Sequence, residues 1–117
     1  MQKISMLGSG FIGRFYTDSL HGYRNKDKVV SIYSRRKENA KKYANDYGVS
    51  HWTTSMEESI SHKDVDVVCI ALPNNLHEEA VHLCCKHNKA VVCTKPLGRN
   101  ASEAKRMVES VEKAGIF

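Results

Sequence analysis

Three glycines near the beginning of the chain have the spacing of a phosphate-binding turn. Gly8, Gly10 and Gly13 follow the order G-x-G-x-x-G, within a segment that reads as a buried strand, a turn and the opening of a helix. In such a turn the first glycine permits the tight bend, the second lets the backbone approach a pyrophosphate, and the third lets the helix pack closely on the strand. The helix also points free N–H groups at the phosphate. The stretch therefore predicts a dinucleotide site that comprises Gly8, Ser9, Gly10, Phe11, Ile12 and Gly13.

The end of the second predicted strand indicates which dinucleotide would bind. NAD sites usually carry an Asp or Glu there, about 20 residues past the glycines, which bonds the ribose 2′-hydroxyl. This chain has Ser34, Arg35 and Arg36 at that place and no acid. A serine hydroxyl and a guanidinium can bind a 2′-phosphate, which a carboxylate would repel. We therefore predict NADP in preference to NAD, with a solvated basic helix start as the alternative.

A polar segment follows the fourth predicted strand. It reads Leu72-Pro73-Asn74-Asn75-Leu76-His77. Pro73 ends the strand, and Asn74 or Asn75 can cap the helix that follows. Because ligands of parallel sheets bind at the carboxyl ends of the strands, we expect this segment to face the ligand crevice, with His77 in the first turn of the helix. A histidine on the helix surface is the alternative.

The loop after the fifth predicted strand carries a candidate catalytic group. Lys95 stands at the carboxyl end of that strand and is followed by Pro96. The proline biases Lys95 away from helical geometry and so fixes the turn. In the crevice, the ammonium could donate a proton to a reacting oxygen or polarise it. The alternative is a loop lysine in solvent.

Strand and helix patterns alternate along the whole chain. Apolar, β-branched stretches predict strands at Lys28–Tyr33, His51–Thr54, Val65–Leu72 and Ala90–Thr94, after the opening strand. Periodicity and capping residues predict helices at Lys37–Tyr47, Ser55–His62 and Leu76–His87, and between Asn100 and Gly115. Strands joined by helices of about ten residues form right-handed crossovers and hence a parallel sheet. The predicted fold class is α/β: a Rossmann-type, doubly wound parallel sheet in a single three-layer α/β/α domain, with strand order 3-2-1-4-5.

Two further expectations concern the first helix and the fifth strand. An apolar stripe predicts an amphipathic first helix, and it consists of Phe11, Ile12, Phe15, Tyr16 and Leu20. The composition of Ala90–Thr94 predicts a fully buried strand. Ile116 and Phe117 read as the beginning of another strand.

The composition argues against several classes of protein. The 117 residues suffice for one domain with a core, and no apolar run approaches the ~18 residues of a membrane span. The chain runs from Met1 directly into the first strand, so we expect no signal peptide and no membrane partner. The net charge of +5 suits a phosphorylated cofactor. We expect no nucleic-acid partner, because the basic residues are spread over the helices and no nucleic-acid motif occurs.

The four cysteines favour a reducing compartment. Cys69, Cys84, Cys85 and Cys93 show no CxxC spacing. Buried thiols behave as small hydrophobic groups, and an intracellular location keeps them reduced. We therefore expect a cytoplasmic protein without a metal site.

Three motifs in order carry a resemblance to a known family. The GSGFIG turn, LPNNLH after the fourth strand and TKPLGRN after the fifth resemble the Gfo/Idh/MocA family, which includes glucose–fructose oxidoreductase and inositol dehydrogenase. The resemblance covers essentially all 117 residues. It implies an NAD(P)-dependent oxidoreductase that acts on sugars, inositols or related polyols.

The resemblance also implies roles for residues of the two later motifs. The Glu-Lys-Pro motif of the family corresponds to Thr94-Lys95-Pro96, so Lys95 is implied to be the catalytic lysine and a cofactor contact. Thr94 departs from the family's glutamate and supplies no charge. The residues implied to lie beside the nicotinamide ribose are Leu72, Pro73, Asn74 and His77.

In this family a substrate domain follows the Rossmann domain. The resemblance implies that residues 1–117 are the dinucleotide-binding domain and that the C-terminal substrate domain is absent from this chain. The chain alone would then bind NADP or NAD without turning over a sugar or polyol. Two alternatives stay open: a stand-alone nucleotide-binding or redox-sensing module, and an interaction subunit whose exposed sheet edge forms a homo-oligomer.

Overall fold

A computed structural model describes residues 2–24 and 27–117, so Met1, from which the first strand was expected to run, lies outside the described residues. The strands are β1 (Lys3–Leu7), β2 (Lys28–Tyr33), β3 (His51–Thr53), β4 (Val67–Ile70) and β5 (Ala90–Cys93). The α-helices are α1 (Phe11–Asp18), α2 (Lys37–Tyr47), α3 (Met56–Ser61), α4 (His77–Lys86) and α5 (Ala101–Ala114). A π-helical segment, Ser19–Arg24, extends α1, and a 3₁₀ turn, Asn74–Leu76, precedes α4.

The five strands form one parallel sheet with the order β3-β2-β1-β4-β5. Side chains alternate between the two faces of the sheet, and each face has its own core. Leu7 packs with Ala80 of α4 and Met107 of α5, whereas Met6 packs with Tyr43 of α2. Helices therefore cover both faces. The predicted fold class and strand order are confirmed.

Capping residues stand at the beginning or the end of three helices, as their types predict. The Ser55 side chain accepts a hydrogen bond from the N–H of Glu58 at the beginning of α3, and Asn100 caps α5 in the same way through the N–H of Glu103. Gly48 adopts the left-handed conformation at the end of α2, where side chains other than glycine are strained. The predicted beginnings of α3 and α5 are confirmed, whereas the predicted asparagine cap of α4 is wrong, because no described side chain caps that helix.

The first helix does not bury its apolar stripe. The side chains of Phe11 and Phe15 are 80% and 57% exposed, and Ile12 is also exposed. The buried residues of α1 are Gly13 and Thr17. The predicted stripe therefore exists, but its first half does not face the core, whereas Tyr16 and Leu20 do pack on the core.

Close contact between α1 and the sheet explains which face is buried. A Cβ on Gly13 would collide with the carbonyl oxygen of Gly8, so α1 can approach the turn only through a glycine. One turn later, the Thr17 hydroxyl lies 2.8 Å from the Gly13 carbonyl oxygen and also bonds the Tyr43 hydroxyl. Small and hydroxyl side chains therefore face the sheet, and the larger apolar groups turn outward.

The fifth strand is an edge strand. Among the described strands it pairs with β4 alone, and Val92 is 51% exposed. The prediction of a fully buried strand is wrong, because apolar composition does not distinguish a central strand from an edge strand. The Val91 N–H donates to the Phe117 carbonyl oxygen at 3.2 Å, so the end of the described chain lies along this edge.

All four cysteines carry free thiols. Burial raises the pKa of Cys69 and Cys93 to about 11 and that of Cys84 to about 12, so these thiols stay protonated near neutral pH. Residues 2–24 and 27–117 contain no cluster of three or more His, Cys, Asp or Glu that could hold a metal. Within the same residues, no helix combines the length and the apolar character that crossing a bilayer requires.

Candidate functional site

The candidate site lies at the edge of the sheet where the parallel strands end. Beyond each strand, the first loop residue still bonds the neighbouring strand. The N–H groups donate to carbonyl oxygens at N···O distances of 2.8 Å (Gly8 to Tyr33), 2.9 Å (Ala71 to Leu7) and 3.1 Å (Thr94 to Ile70). These bonds hold the loops after β1, β2, β4 and β5 side by side, which is the arrangement that the crevice of a Rossmann sheet requires.

The three glycines of the turn differ in the space that surrounds them. Gly8 has φ +108°, and a Cβ there would lie 2.6 Å from the Ala71 carbonyl oxygen. Gly8 and Gly13 are therefore required by contacts within the protein itself. A Cβ on Gly10, by contrast, would meet no atom within 4 Å. The space above Gly10 is open, as it must be if a pyrophosphate is to approach the backbone there.

A cavity of about 630 Å³ opens between the glycine turn and the ends of β2 and β4. This volume lies in the range of cavities that hold cofactors. Seven residues predicted from the sequence line it: Gly8, Ser9, Gly10, Ser34, Arg35, Leu72 and Pro73. Leu76, from the segment expected to face the crevice, also lines it. Five lining residues were not predicted: Arg14, Tyr33, Asn39, Lys42 and Ala71.

The other predicted site residues lie outside the lining of this cavity. They are Phe11, Ile12, Gly13, Arg36, Asn74, His77 and Lys95. Phe11 and Ile12 stand in the first turn of α1, so the groups they can offer to the cavity are backbone N–H groups. Arg36 is the exposed residue that precedes α2. Asn74 follows Pro73 of the lining, and Lys95 belongs to the loop after β5.

A hydrogen bond joins the glycine turn to the end of β2. The Ser9 hydroxyl donates to the Ser34 hydroxyl oxygen at 3.0 Å, and the Arg14 Nε donates to the Ser9 carbonyl oxygen at 3.2 Å. The two serines thus present adjacent hydroxyl groups inside the cavity. Their position fits a ribose or a phosphate on that ribose.

Arg14 is held in place by an acid and two aromatic rings. Its Nη1 pairs with Asp46 at 3.0 Å, and its guanidinium lies 5.8 Å and 5.7 Å from the ring centroids of Tyr43 and Tyr47. Lys42 pairs with the same carboxylate at 3.4 Å. Bonding to Arg14, and to a lesser extent to Lys42, lowers the pKa of Asp46. Arg14 therefore enters the cavity as a fixed cation rather than a mobile one.

The lining of the cavity is cationic. Arg14, Arg35 and Lys42 contribute side chains to it, and none of its described lining residues is an Asp or Glu. Two sequence signals could have identified the unpredicted residues. Arg14 follows the last glycine of the turn directly, and Asn39 and Lys42 lie three residues apart, on one face of α2.

Lys95 lies in the exposed part of the site. It follows the end of β5, and its side chain is exposed. In the described part of the chain, no hydrogen bond or ion pair occupies its ammonium. The peptide bond between Lys95 and Pro96 is cis. The group predicted to act on a substrate is thus free to reach one.

His77 lies beneath the loops and not in the cavity wall. Its side chain is 1% exposed. Nε2 lies 2.8 Å from the Leu72 carbonyl oxygen, and Nδ1 lies 3.0 Å from the Leu97 carbonyl oxygen. The surface alternative for this histidine is therefore excluded, and its ring contacts backbone atoms of both loops.

A second buried polar residue, Glu103 of α5, holds the end of the loop that carries Lys95. The Glu103 side chain is 2% exposed and accepts hydrogen bonds from the Arg99 N–H at 3.1 Å and from Arg99 Nε at 2.9 Å. The hydrogen bond from Arg99 lowers the pKa of Glu103. Glu103 therefore takes part in the cap of α5 through its N–H and fixes the end of the loop through its carboxylate.

Known proteins match the chain over nearly its whole length. The model of the GFO_IDH_MocA family, described as an oxidoreductase family with an NAD-binding Rossmann fold, matches residues 2–117. The trans-1,2-dihydrobenzene-1,2-diol dehydrogenase of Bos taurus is 33% identical over 113 residues, which are 96% of this chain and 34% of that enzyme. The NADP(+) scyllo-inositol 2-dehydrogenase of Bacillus subtilis is 28% identical over 116 residues, 99% of this chain and 35% of that enzyme.

A solved structure shows the same fold. The NAD binding oxidoreductase from Klebsiella pneumoniae superposes with a TM-score of 0.90 at 25% identity, over 98% of this chain and 32% of that one. The chain therefore spans about a third of the length of the proteins that it matches.

Proposed function

The chain belongs to the GFO_IDH_MocA family of oxidoreductases, and on this premise we propose that it is the NADP(H)-binding domain of an enzyme that transfers a hydride between the cofactor and a sugar, inositol or related polyol. We propose further that residues 1–117 form this domain and that a substrate domain outside this chain completes the enzyme. The names of the relatives support the substrate class, since they include an inositol dehydrogenase and a dehydrogenase of a cyclic diol. The free thiols support a cytoplasmic location.

One observation carries the preference for NADP. The cavity beside Ser9 and Ser34 is lined by three cationic side chains and, among the described residues, by no carboxylate. A 2′-phosphate carries about two negative charges, which Arg35 can bind in a bidentate manner. An NAD site would instead offer a carboxylate to the 2′-hydroxyl.

The residues of the chain would divide the work along the dinucleotide. The backbone from Gly8 to Gly13, including the N–H groups of Phe11 and Ile12, would hold the pyrophosphate, and Ser34 with Arg35 would hold the 2′-phosphate. Arg36 would add positive charge from outside the cavity. Leu72, Pro73 and Asn74 would contact the nicotinamide ribose. The bound nicotinamide would supply or accept the hydride.

Lys95 would serve the proton side of the reaction. Its exposed ammonium lies at the carboxyl end of β5 and can hydrogen-bond a substrate hydroxyl or carbonyl oxygen. From there it can donate or withdraw the proton that accompanies hydride transfer. No other described residue on this loop carries an ionisable side chain that lacks an intramolecular partner.

Dissociation constants of the chain for NADPH and NADH test the cofactor preference. We expect NADPH to bind about tenfold to a hundredfold more tightly, the value of one charge-assisted contact. Arg35→Ala should remove most of that difference and leave the affinity for NADH unchanged. Arg36→Ala is the comparison variant and should have a smaller effect, because Arg36 carries the same charge outside the cavity lining. Equal affinities in the unmodified chain would overturn the NADP preference, and no binding of either cofactor would overturn the proposed function.

A further inference from the structure

The ring of His77 faces two carbonyl oxygens that belong to different loops. The Leu72 oxygen, 2.8 Å from Nε2, lies in the loop after β4. The Leu97 oxygen, 3.0 Å from Nδ1, lies in the loop after β5, two residues past Lys95. One buried side chain thus bridges the two loops that flank the nicotinamide end of the proposed site.

The protonation of an imidazole decides whether both contacts are hydrogen bonds. A neutral ring carries one N–H and offers a lone pair at the other nitrogen, whereas the imidazolium donates from both. A backbone carbonyl oxygen can only accept. Because both partners of His77 are carbonyl oxygens, both contacts are hydrogen bonds only in the doubly protonated ring.

The Thr94 hydroxyl is a third hydrogen-bond partner within reach of the His77 ring. Its hydroxyl oxygen lies 3.5 Å from Nε2 of His77 and is the one side-chain hydrogen-bond partner of the ring in the described part of the chain. When Nε2 loses its hydrogen, the Thr94 hydroxyl can rotate and donate to it. The bond to Leu72 is then lost, and the bond from Nδ1 to Leu97 remains.

The contacts of His77 act on the position of the loop that carries Lys95. Leu72 lines the cavity, so the bridge ties this loop to the cavity wall. On the far side, a Cβ on Gly98 would lie 2.8 Å from the backbone nitrogen of Ala104, which shows how tightly the loop ends against α5. The loop is thus fixed at Leu97 and Gly98, and its free group is the side chain of Lys95.

The charged groups described on the surrounding elements do not pair with His77. Glu78 pairs with Arg106 at 2.7 Å, and Arg99 pairs with Glu103 at 2.8 Å. Glu79 and Lys95 are exposed. Within the described residues, the hydrogen-bond contacts of the His77 ring are the two carbonyl oxygens and the Thr94 hydroxyl.

We propose that His77 is a positioning residue, which donates from both ring nitrogens and thereby holds the Lys95 loop against the wall of the dinucleotide cavity. Removal of either bond would loosen the loop. The inference rests on the proposed function, because it gives the nicotinamide end of that site its fixed geometry. It assigns His77 no contact with the reacting atoms.

Ligand affinities distinguish a positioning role of His77 from a general effect of its substitution on stability. The probes are NADPH and 2′,5′-ADP, which lacks the nicotinamide half. We expect His77→Gln, which keeps one donor group, to weaken NADPH binding about tenfold, the value of one buried hydrogen bond, and to leave 2′,5′-ADP binding unchanged. His77→Leu should weaken NADPH binding further. The matched control is His82→Gln, which changes an exposed histidine of the same helix.

The outcomes distinguish this proposal from the proposed function. An equal loss of affinity for both ligands, or no loss for either, would overturn the positioning role. If the unmodified chain binds neither ligand, the proposed function fails, and ring protonation still tests the bridge.

Nitrogen NMR of the histidine rings tests the bridge in the unmodified chain, whether or not the variants fold. We expect His77 to show two ring N–H groups, one directed at each carbonyl oxygen. In His77→Gln, amide hydrogen exchange at Leu97, Gly98 and Arg99 should accelerate. A ring with a single N–H group, or exchange at these amides that does not change in the variant, would contradict the proposal.

Discussion

The two halves of the candidate site are built by different means. On the phosphate side, contacts of the backbone with itself fix the glycine turn, as the positions of Gly8 and Gly13 show. On the nicotinamide side, buried polar side chains fix the loops: His77 bridges two carbonyl oxygens, and Glu103 holds Arg99. The candidate catalytic group, Lys95, is exposed.

The difference reflects what each half has to do. A pyrophosphate has the same shape in every dinucleotide, so a rigid cradle of backbone N–H groups suffices to bind it. Proton transfer to a substrate needs a side chain that can meet a second molecule, so the role that we propose for Lys95 requires it to stay accessible while its loop is held still. Rigidity in the first half comes from steric exclusion, and in the second from hydrogen bonds that a substitution can remove.

Of the substitutions considered, a change at Gly13, in the phosphate half of the site, should have the largest effect on stability. A Cβ there would meet the Gly8 carbonyl oxygen, and neither backbone segment can move without disrupting the packing of α1 on β1. We expect Gly13→Ala to lower the free energy of unfolding by about 3 kcal/mol or more. Denaturant unfolding followed by circular dichroism measures the change.

Gly10→Ala is the matched control for this prediction. A Cβ at Gly10 meets no protein atom within 4 Å, so the free energy of unfolding should change little. The same methyl group should weaken NADPH binding, because it occupies the space that we assign to the pyrophosphate. Equal destabilisation by both alanines would contradict the division of roles within the turn.

Lys95→Ala tests the nicotinamide half of the site, where the candidate catalytic group is exposed. In the chain itself, we expect near-normal stability and cofactor affinity, since the Lys95 ammonium has no partner in the described structure. In a longer form that carries a substrate domain, turnover should fall by about 100-fold through loss of the proton-transferring group. Lys63→Ala, at an exposed lysine in a turn, serves as the control for loss of charge. Unchanged turnover would remove Lys95 from the mechanism.

Glu78→Gln should have the smallest effect. It tests the ion pair between α4 and α5, the helices that follow the two loops of the nicotinamide half. Hydrogen bonding to Arg106 and His82 lowers the pKa of Glu78 to about 2, from an ordinary value of 4.5. A lowered pKa in the folded state stabilises the fold above the unfolded pKa, and this contribution is lost as the pH falls from about 4.5 to about 2. The pair between α4 and α5 should therefore matter at neutral pH and not in acid.

Thermal unfolding at several pH values measures this contribution. We expect Glu78→Gln to lower the Tm by a few degrees at pH 7 and by nothing at about pH 2. Glu79→Gln removes an exposed carboxylate one residue further along α4 and should leave the Tm unchanged. A difference between Glu78→Gln and the unmodified chain that persists in acid would show that charge pairing is not its cause.

Local sequence signals predicted most of the fold, and the errors have a common physical cause. Alternating strand and helix patterns, the helix caps and the glycine spacing act over a few residues, and the structure agrees with them. The stripe of α1 was predicted to be amphipathic and β5 to be fully buried, but large parts of both are exposed. Apolar periodicity shows that a face is apolar, and neighbouring elements decide whether anything covers it.

The amino-acid sequence by itself determined the order of the elements, the position of the glycine turn and the absence of an acid at the end of β2. These features rest on local steric and chemical preferences. Only the tertiary structure decided that Arg14 and Lys42 enter the cavity and that His77 lies beneath it. The bridge formed by His77 joins atoms 5 and 20 residues away in the sequence. Such a contact depends on where separate loops meet in space, and no local pattern encodes it.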